Sequence, residues 1–151
     1  MNASPHRRRF NVLLVEDNPG DIRLAREALA QLGMPVDLEI KTSGAEALAY
    51  LHREGDYRRA PRPDLVLLDL NLPQMDGRVM LEVMRQDAVL QPIPVVVLTA
   101  SRSLDDISSL YKASANCFFT KPMNYDDYVQ VLEHILNYWL PLSQTVSGDD
   151  S

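Results

Sequence analysis

Asp64-Leu65-Val66-Leu67-Leu68-Asp69-Leu70-Asn71-Leu72-Pro73 is the stretch on which the fold turns. Four apolar residues between two aspartates fit a strand buried on both faces, as in a parallel sheet covered by helices on each side. Pro73 has no N–H and cannot extend a ladder. Asp69 therefore stands at a strand-to-loop junction, the edge at which open α/β sheets place their sites. Taken alone, a carboxylate beside a turn is most often a strand-ending or capping residue. The other strand ends decide whether Asp69 is more than that.

Upstream, Phe10-Asn11-Val12-Leu13-Leu14-Val15 has the composition of a buried strand and runs into Glu16-Asp17-Asn18-Pro19, so two carboxylates end the first strand. Asn18 suits an N-cap and Pro19 the first helical position. Ile22, Ala25, Leu29 and Leu32 recur at helical spacing until Gly33 supplies a stop. Val36, Leu38 and Ile40 alternate with Asp37, Glu39 and Lys41, predicting a strand with one wetter face near the sheet edge. Ser43-Gly44-Ala45-Glu46 reads as a capping box for the next helix. A polar loop from Glu54 to Pro63 then leads to the central strand.

Downstream, a turn through Gln74-Met75-Asp76-Gly77 opens a helix carrying Met80, Val83 and Met84, whose spacing is that of core packing. Val95-Val96-Val97-Leu98 is a fourth apolar strand and ends in Thr99. Ser103 with Asp106 caps a predicted fourth helix through Leu110 and Tyr111. A short fifth strand from Asn116 to Thr120 ends in Lys121-Pro122. Asn124 begins the last helix, with Asp126 and Asp127 in its first turn, Val129, Leu132, Ile135, Leu136 and Trp139 on its apolar side, and Pro141 as its expected close. Residues 1–9 are expected to be a flexible basic tail, 10–140 the folded domain, and 141–151 a disordered polar tail.

Five strands alternating with five helices predict an α/β fold. It is a flavodoxin-like (βα)5 doubly wound parallel sheet with right-handed crossovers and strand order 2-1-3-4-5. That order brings Glu16, Asp17 and Asp69 to the crevice between strands one and three, with Thr99 and Lys121 arriving on the same carboxyl edge. Three carboxylates in one pocket repel, so one stays protonated unless a cation is present. All-oxygen ligands favour a hard divalent ion such as Mg²⁺ over zinc or copper. Such an ion shares its remaining positions with phosphate, which points to phosphoryl chemistry.

Composition excludes several other classes. The chain has 151 residues, 46% of them hydrophobic and 24% charged, which suits one compact domain with a real core. Its apolar runs are shorter than the roughly 20 residues of a membrane helix, and the N-terminus lacks the apolar centre of a signal peptide, so a cytoplasmic location is expected. The single cysteine, Cys117, rules out an internal disulfide framework. A net charge of -6 argues against general nucleic-acid binding, and no DNA-binding domain is expected.

Val15-Glu16-Asp17, Leu67-Leu68-Asp69-Leu70-Asn71-Leu72-Pro73, Leu98-Thr99-Ala100 and Thr120-Lys121-Pro122 resemble the receiver domain of two-component response regulators, over about Phe10 to Leu140. The resemblance implies that Asp69 is the phosphoacceptor and that Glu16, Asp17 and Asp69 hold Mg²⁺ with the backbone carbonyl of Asn71. Thr99 would contact the phosphoryl group and Lys121 pair with it, and the Lys121-Pro122 bond would be cis. Glu16 to Asp21, the arginine-rich loop before the third strand, Ala115 to Phe119 and Tyr138-Trp139 are similar to single-domain regulators of bacterial and cyanobacterial phytochrome kinases. The family's switch aromatic corresponds to Phe118, which cannot hydrogen-bond after turning inward, so switching there would rest on packing alone. The implied protein is no enzyme towards an external metabolite. It is a switch that catalyses its own phosphorylation by a sensor histidine kinase, and its own dephosphorylation.

Rival readings have weaker support. An aspartate-nucleophile phosphatase usually carries a second acid two residues on, where this chain has Asn71. A flavin mononucleotide binder needs a hydroxyl- and glycine-rich phosphate loop after the first strand, where Glu16 and Asp17 would repel phosphate. An inert scaffold is disfavoured because every chemical position is filled. For Leu110, Tyr111, Phe119, Tyr138 and Trp139 two readings stay open: a broad buried stripe, or a homodimer face built on the predicted fourth helix, fifth strand and fifth helix. The resemblance favours the dimer.

Overall fold

The structure is a computed structural model describing residues 9–72, 75–100 and 117–149, with side chains to residue 140. Pro73, the predicted fourth helix with Ser103, Leu110 and Tyr111, and most of the basic tail lie outside the described residues. Five parallel strands, β1 (Phe10–Val15), β2 (Val36–Lys41), β3 (Leu65–Leu68), β4 (Val95–Thr99) and β5 (Cys117–Thr120), form one sheet in the order β2-β1-β3-β4-β5. This is the expected order.

Three helices follow the first three strands: α1 (Pro19–Leu32), α2 (Gly44–Leu51) and α3 (Gly77–Gln86); the C-terminal helix spans Tyr125–Asp149. Three of the four starts follow from the caps read in the sequence. The Asn18 side chain accepts the Asp21 N–H at 3.0 Å, the Ser43 hydroxyl accepts the Glu46 N–H at 3.2 Å, and Asn124 Oδ1 accepts the Asp127 N–H at 2.8 Å. At the other end of α1, Gly33 takes φ 64°, a left-handed cap that a side chain would strain.

The sheet separates two apolar layers. Leu13, Val15, Val66, Leu68, Val95 and Val97 face α2 and α3, while Val12, Leu14, Leu65, Leu67, Val96 and Leu98 face α1 and the C-terminal helix. Strands β3 and β4 are buried at every position because helices cover both faces, which is why they read as unbroken apolar runs. Alternation is what remains at the edge: β2 is half-exposed along most of its length.

The C-terminal helix corrects one expectation. It continues past Pro141 to Asp149, so the helix does not stop at 140. Proline's fixed φ is itself helical, and the missing N–H removes a single bond to the preceding turn; a proline makes a helix costly without forcing it to end.

Candidate functional site

The carboxyl edge of the sheet gathers the chemistry. Beyond β1 the Glu16 N–H donates to the Lys41 carbonyl, and beyond β3 the Asp69 N–H donates to the Val15 carbonyl, both at 3.0 Å. The ladder therefore runs one residue past each strand and fixes both carboxylates at its rim. Glu16 and Asp69 are buried and Asp17 is exposed, yet one oxygen from each lies within 4.8 Å of the others. Among the described residues this is the carboxylate group arranged to hold a cation.

Lys121 reaches the pocket from β5. Its N–H donates to the Thr99 carbonyl at 2.8 Å, so the ends of β4 and β5 are tied just before the side chain departs. The ammonium lies 2.7 Å from Glu16 Oε1, 2.9 Å from Asp21 Oδ2 and 3.9 Å from Asp69 Oδ1. Glu16 Oε2 also accepts the Asn18 N–H at 3.3 Å. Thr99 is buried at the end of β4. Asn71 is exposed two residues beyond Asp69 on the same loop.

Electrostatics follow from this crowding. Burial pushes the Glu16 carboxyl up to about 7, with Asp69 adding to the rise while Lys121 and the Asn18 N–H oppose it. Burial also opposes the charge of Lys121, but its bonds to Glu16 and Asp21 and the field of Asp69 win, and its pKa is raised. Tyr128, buried beneath the pocket on the C-terminal helix, is pushed up to about 12 mainly by burial. One carboxyl thus stays about half protonated at neutral pH, in line with three acids sharing one pocket in the absence of a cation. An all-oxygen donor set with one acid this poorly ionised fits a hard divalent ion, because such a charge would stabilise all three carboxylates at once.

Two functional features escaped the sequence reading. Asp21 lies in the first turn of α1, and its carboxylate is a direct partner of Lys121. Nothing local in the sequence marks that pairing, because the partner lies 100 residues away. Gly77 packs on the loop after β3: a Cβ there would stand 2.8 Å from the Asp69 carbonyl oxygen and 3.1 Å from the Leu70 Cα. Its N–H donates to the Leu70 carbonyl at 3.0 Å.

The remaining predicted positions divide. Phe118 is half-buried and packs against the apolar layer beneath α2 and α3. The Lys121-Pro122 bond is trans, correcting the expected cis form. Trans is the ordinary preference of an X–Pro bond by about 0.5–1 kcal/mol, and with it Lys121 already meets both Thr99 and Glu16. Phe119 stacks edge-on against His134, and Tyr138 edge-on against Trp139. Tyr138 is 61% exposed, whereas Trp139 is half-buried. Val129, Leu132, Ile135, Leu136 and Leu140 fill the core stripe, with Trp139 packed against its edge and Tyr138 outside it.

Comparison with known proteins agrees with this geometry. Response regulator Rcp1 of Synechocystis sp. is 43% identical over 129 residues, covering 85% of this chain and 88% of Rcp1. The crystal structure of the phosphorylated cyanobacterial phytochrome response regulator RcpA superposes with a TM-score of 0.84 at 46% identity, covering 88% of this chain and 95% of that one. The Mn²⁺-bound form of Rcp1 gives 0.80 at 42% identity, covering 87% and 94%. The receiver domain of sensor histidine kinase PA1611 from Pseudomonas aeruginosa PAO1, which has a magnesium ion coordinated in its active-site cleft, gives 0.72 at 26% identity, covering 89% and 99%. With residues 12–133 matching the response regulator receiver domain, this chain belongs to that family.

Proposed function

We propose that Asp69 accepts a phosphoryl group from a sensor histidine kinase, in a reaction that requires Mg²⁺ held by Glu16, Asp17, Asp69 and the Asn71 carbonyl. The observation that carries this reading is the meeting of three carboxylates from the ends of β1 and β3 with the Lys121 ammonium in one pocket. An Asp69 oxygen attacks the phosphorus of a phosphohistidine; the P–O bond forms as the P–N bond breaks, and the imidazole leaves. The bound ion supplies charge neutralisation to the phosphoryl oxygens. Lys121 pairs with the same oxygens, and the buried Thr99 hydroxyl is placed to follow them inward. Hydrolysis of the aspartyl phosphate by water in the same pocket resets the switch, so the protein catalyses its own modification and turns over no external metabolite.

The donor is proposed to be a phytochrome-type kinase in the cytoplasm. The likeness to Rcp1 and RcpA supports this, and no helix of the described residues is long and apolar enough to cross a membrane. Output is proposed to pass through a face containing Phe119, Tyr138 and Trp139, on which two copies pair. A cavity of about 260 Å³, lined by Cys117, Phe119, His134, Ile135, Tyr138 and Trp139, gives that face a concave apolar centre. Phe118, in the layer beneath α2 and α3, is proposed as the switch aromatic.

Acetyl phosphate with Mg²⁺ tests the assignment. Intact mass should rise by one phosphoryl group, removable by hydroxylamine, and Asp69→Asn should abolish the gain. The same adduct in Asp69→Asn would overturn the reading.

A further inference from the structure

Lys121 has more partners than its proposed role requires. Its ammonium carries three N–H donors. One meets Glu16 and another Asp21, while Asp69 at 3.9 Å is beyond hydrogen-bond reach. Asp21 takes no part in holding a cation or a phosphoryl group in the scheme above. It sits in the first turn of α1 with its N–H already satisfied by Asn18, leaving its half-exposed carboxylate aimed at Lys121 across 100 residues of sequence.

The arrangement answers a conflict over Glu16. A divalent ion needs the Glu16 carboxylate, and an ammonium on the same carboxylate repels that ion. When Glu16 turns to the ion, Lys121 loses its shortest contact. Without another anion beside it, the ammonium would stay with Glu16 and Asp69 and compete with the ion for both carboxylates. Asp21 is the anion already in place.

We propose that Asp21 is a positioning residue: it retains Lys121 when Glu16 serves the cation, so that the ammonium stays beside Asp69 without competing for the metal ligands. This rests on the cation and phosphoacceptor reading of the pocket. Asp21 also contributes to the site through its own negative field, and that contribution does not depend on Lys121. A double-mutant cycle separates the two.

The experiment is calorimetric titration of Mg²⁺ into the full chain as wild type, Asp21→Asn, Lys121→Met and the double variant, each first shown by thermal melting to be folded. Asparagine keeps the shape of Asp21 and leaves its backbone N–H bond to Asn18 intact. Asp21→Asn should weaken Mg²⁺ binding about tenfold in the wild-type background and by less than about twofold when Lys121 is methionine. An equal loss in both backgrounds, which is what a direct field effect gives, overturns the proposal, as does no loss in either. If the wild type itself bound no Mg²⁺, the reading of the pocket would fall and the proposal with it. If the wild type bound Mg²⁺ and phosphorylated Asp69 while the cycle showed no coupling, the proposal alone would fall.

Discussion

Glu16 is the residue whose ionisation a bound cation would control. In the absence of metal, burial lifts its pKa from 4.5 to about 7. A folded pKa above the unfolded one means that folding favours the protonated form. The stability this contributes is complete below pH 4.5 and is lost as pH rises through about 7. Metal-free protein should therefore lose stability from this group between pH 5 and pH 8, estimated roughly from that range. Mg²⁺, which needs the ionised carboxylate, should raise the melting temperature more at the upper end than at the lower. Calorimetry at about pH 7 in buffers of different ionisation enthalpy should register release of about half a proton per ion bound. Equal stabilisation across the range, with no proton released, would mean that Glu16 is ionised before the metal arrives.

At the scale of elements, α3 is docked so tightly on the loop after β3 that its first residue has no space for a side chain. In Gly77→Ala the new Cβ would meet two backbone atoms, the Asp69 oxygen at 2.8 Å and the Leu70 Cα at 3.1 Å, neither able to rotate away. Backbone displacement of this kind costs about 1–3 kcal/mol. Denaturant unfolding should show that loss, and acetyl phosphate labelling of Asp69 should slow, while the exposed Val79→Ala on the same helix should change neither. Such docking was invisible in the sequence, where Asp76-Gly77 reads only as a turn before a helix. Strand ends were legible because burial on both faces leaves continuous apolar runs, and the polar residue closing each run declares itself. Asp21 was not, because an acid in the first turn of a helix is ordinarily explained by the helix dipole, and a partner 100 residues away leaves no local trace. Pro141 misled for a related reason: the rule it follows is a local cost, and the chain carries the helix on past it.

At the scale of the molecule, the exposed ring of Tyr138 above an apolar cavity predicts pairing of two copies. Light scattering at a concentration on the order of 50 µM should return twice the chain mass, with beryllofluoride on Asp69 or without it, and Tyr138→Arg should return the monomer. A monomer for the wild type in both states would remove the dimer. The sheet that carries this face is also cross-braced along its open rim. Lys121, leaving the edge strand β5, is anchored to Glu16 beyond β1, so one side chain links strand ends that stand two places apart from adjacency, with β3 and β4 between them. Asp69, at the end of β3, lies 3.9 Å from the same ammonium, and closing that gap to hydrogen-bond length takes a movement of about 1 Å. A phosphoryl group there would move the brace from the β1–β5 span to the β3–β5 span with almost no travel. The signal, in mechanical terms, is a change in which strands share the load, delivered to an edge strand that has a neighbour on one side only.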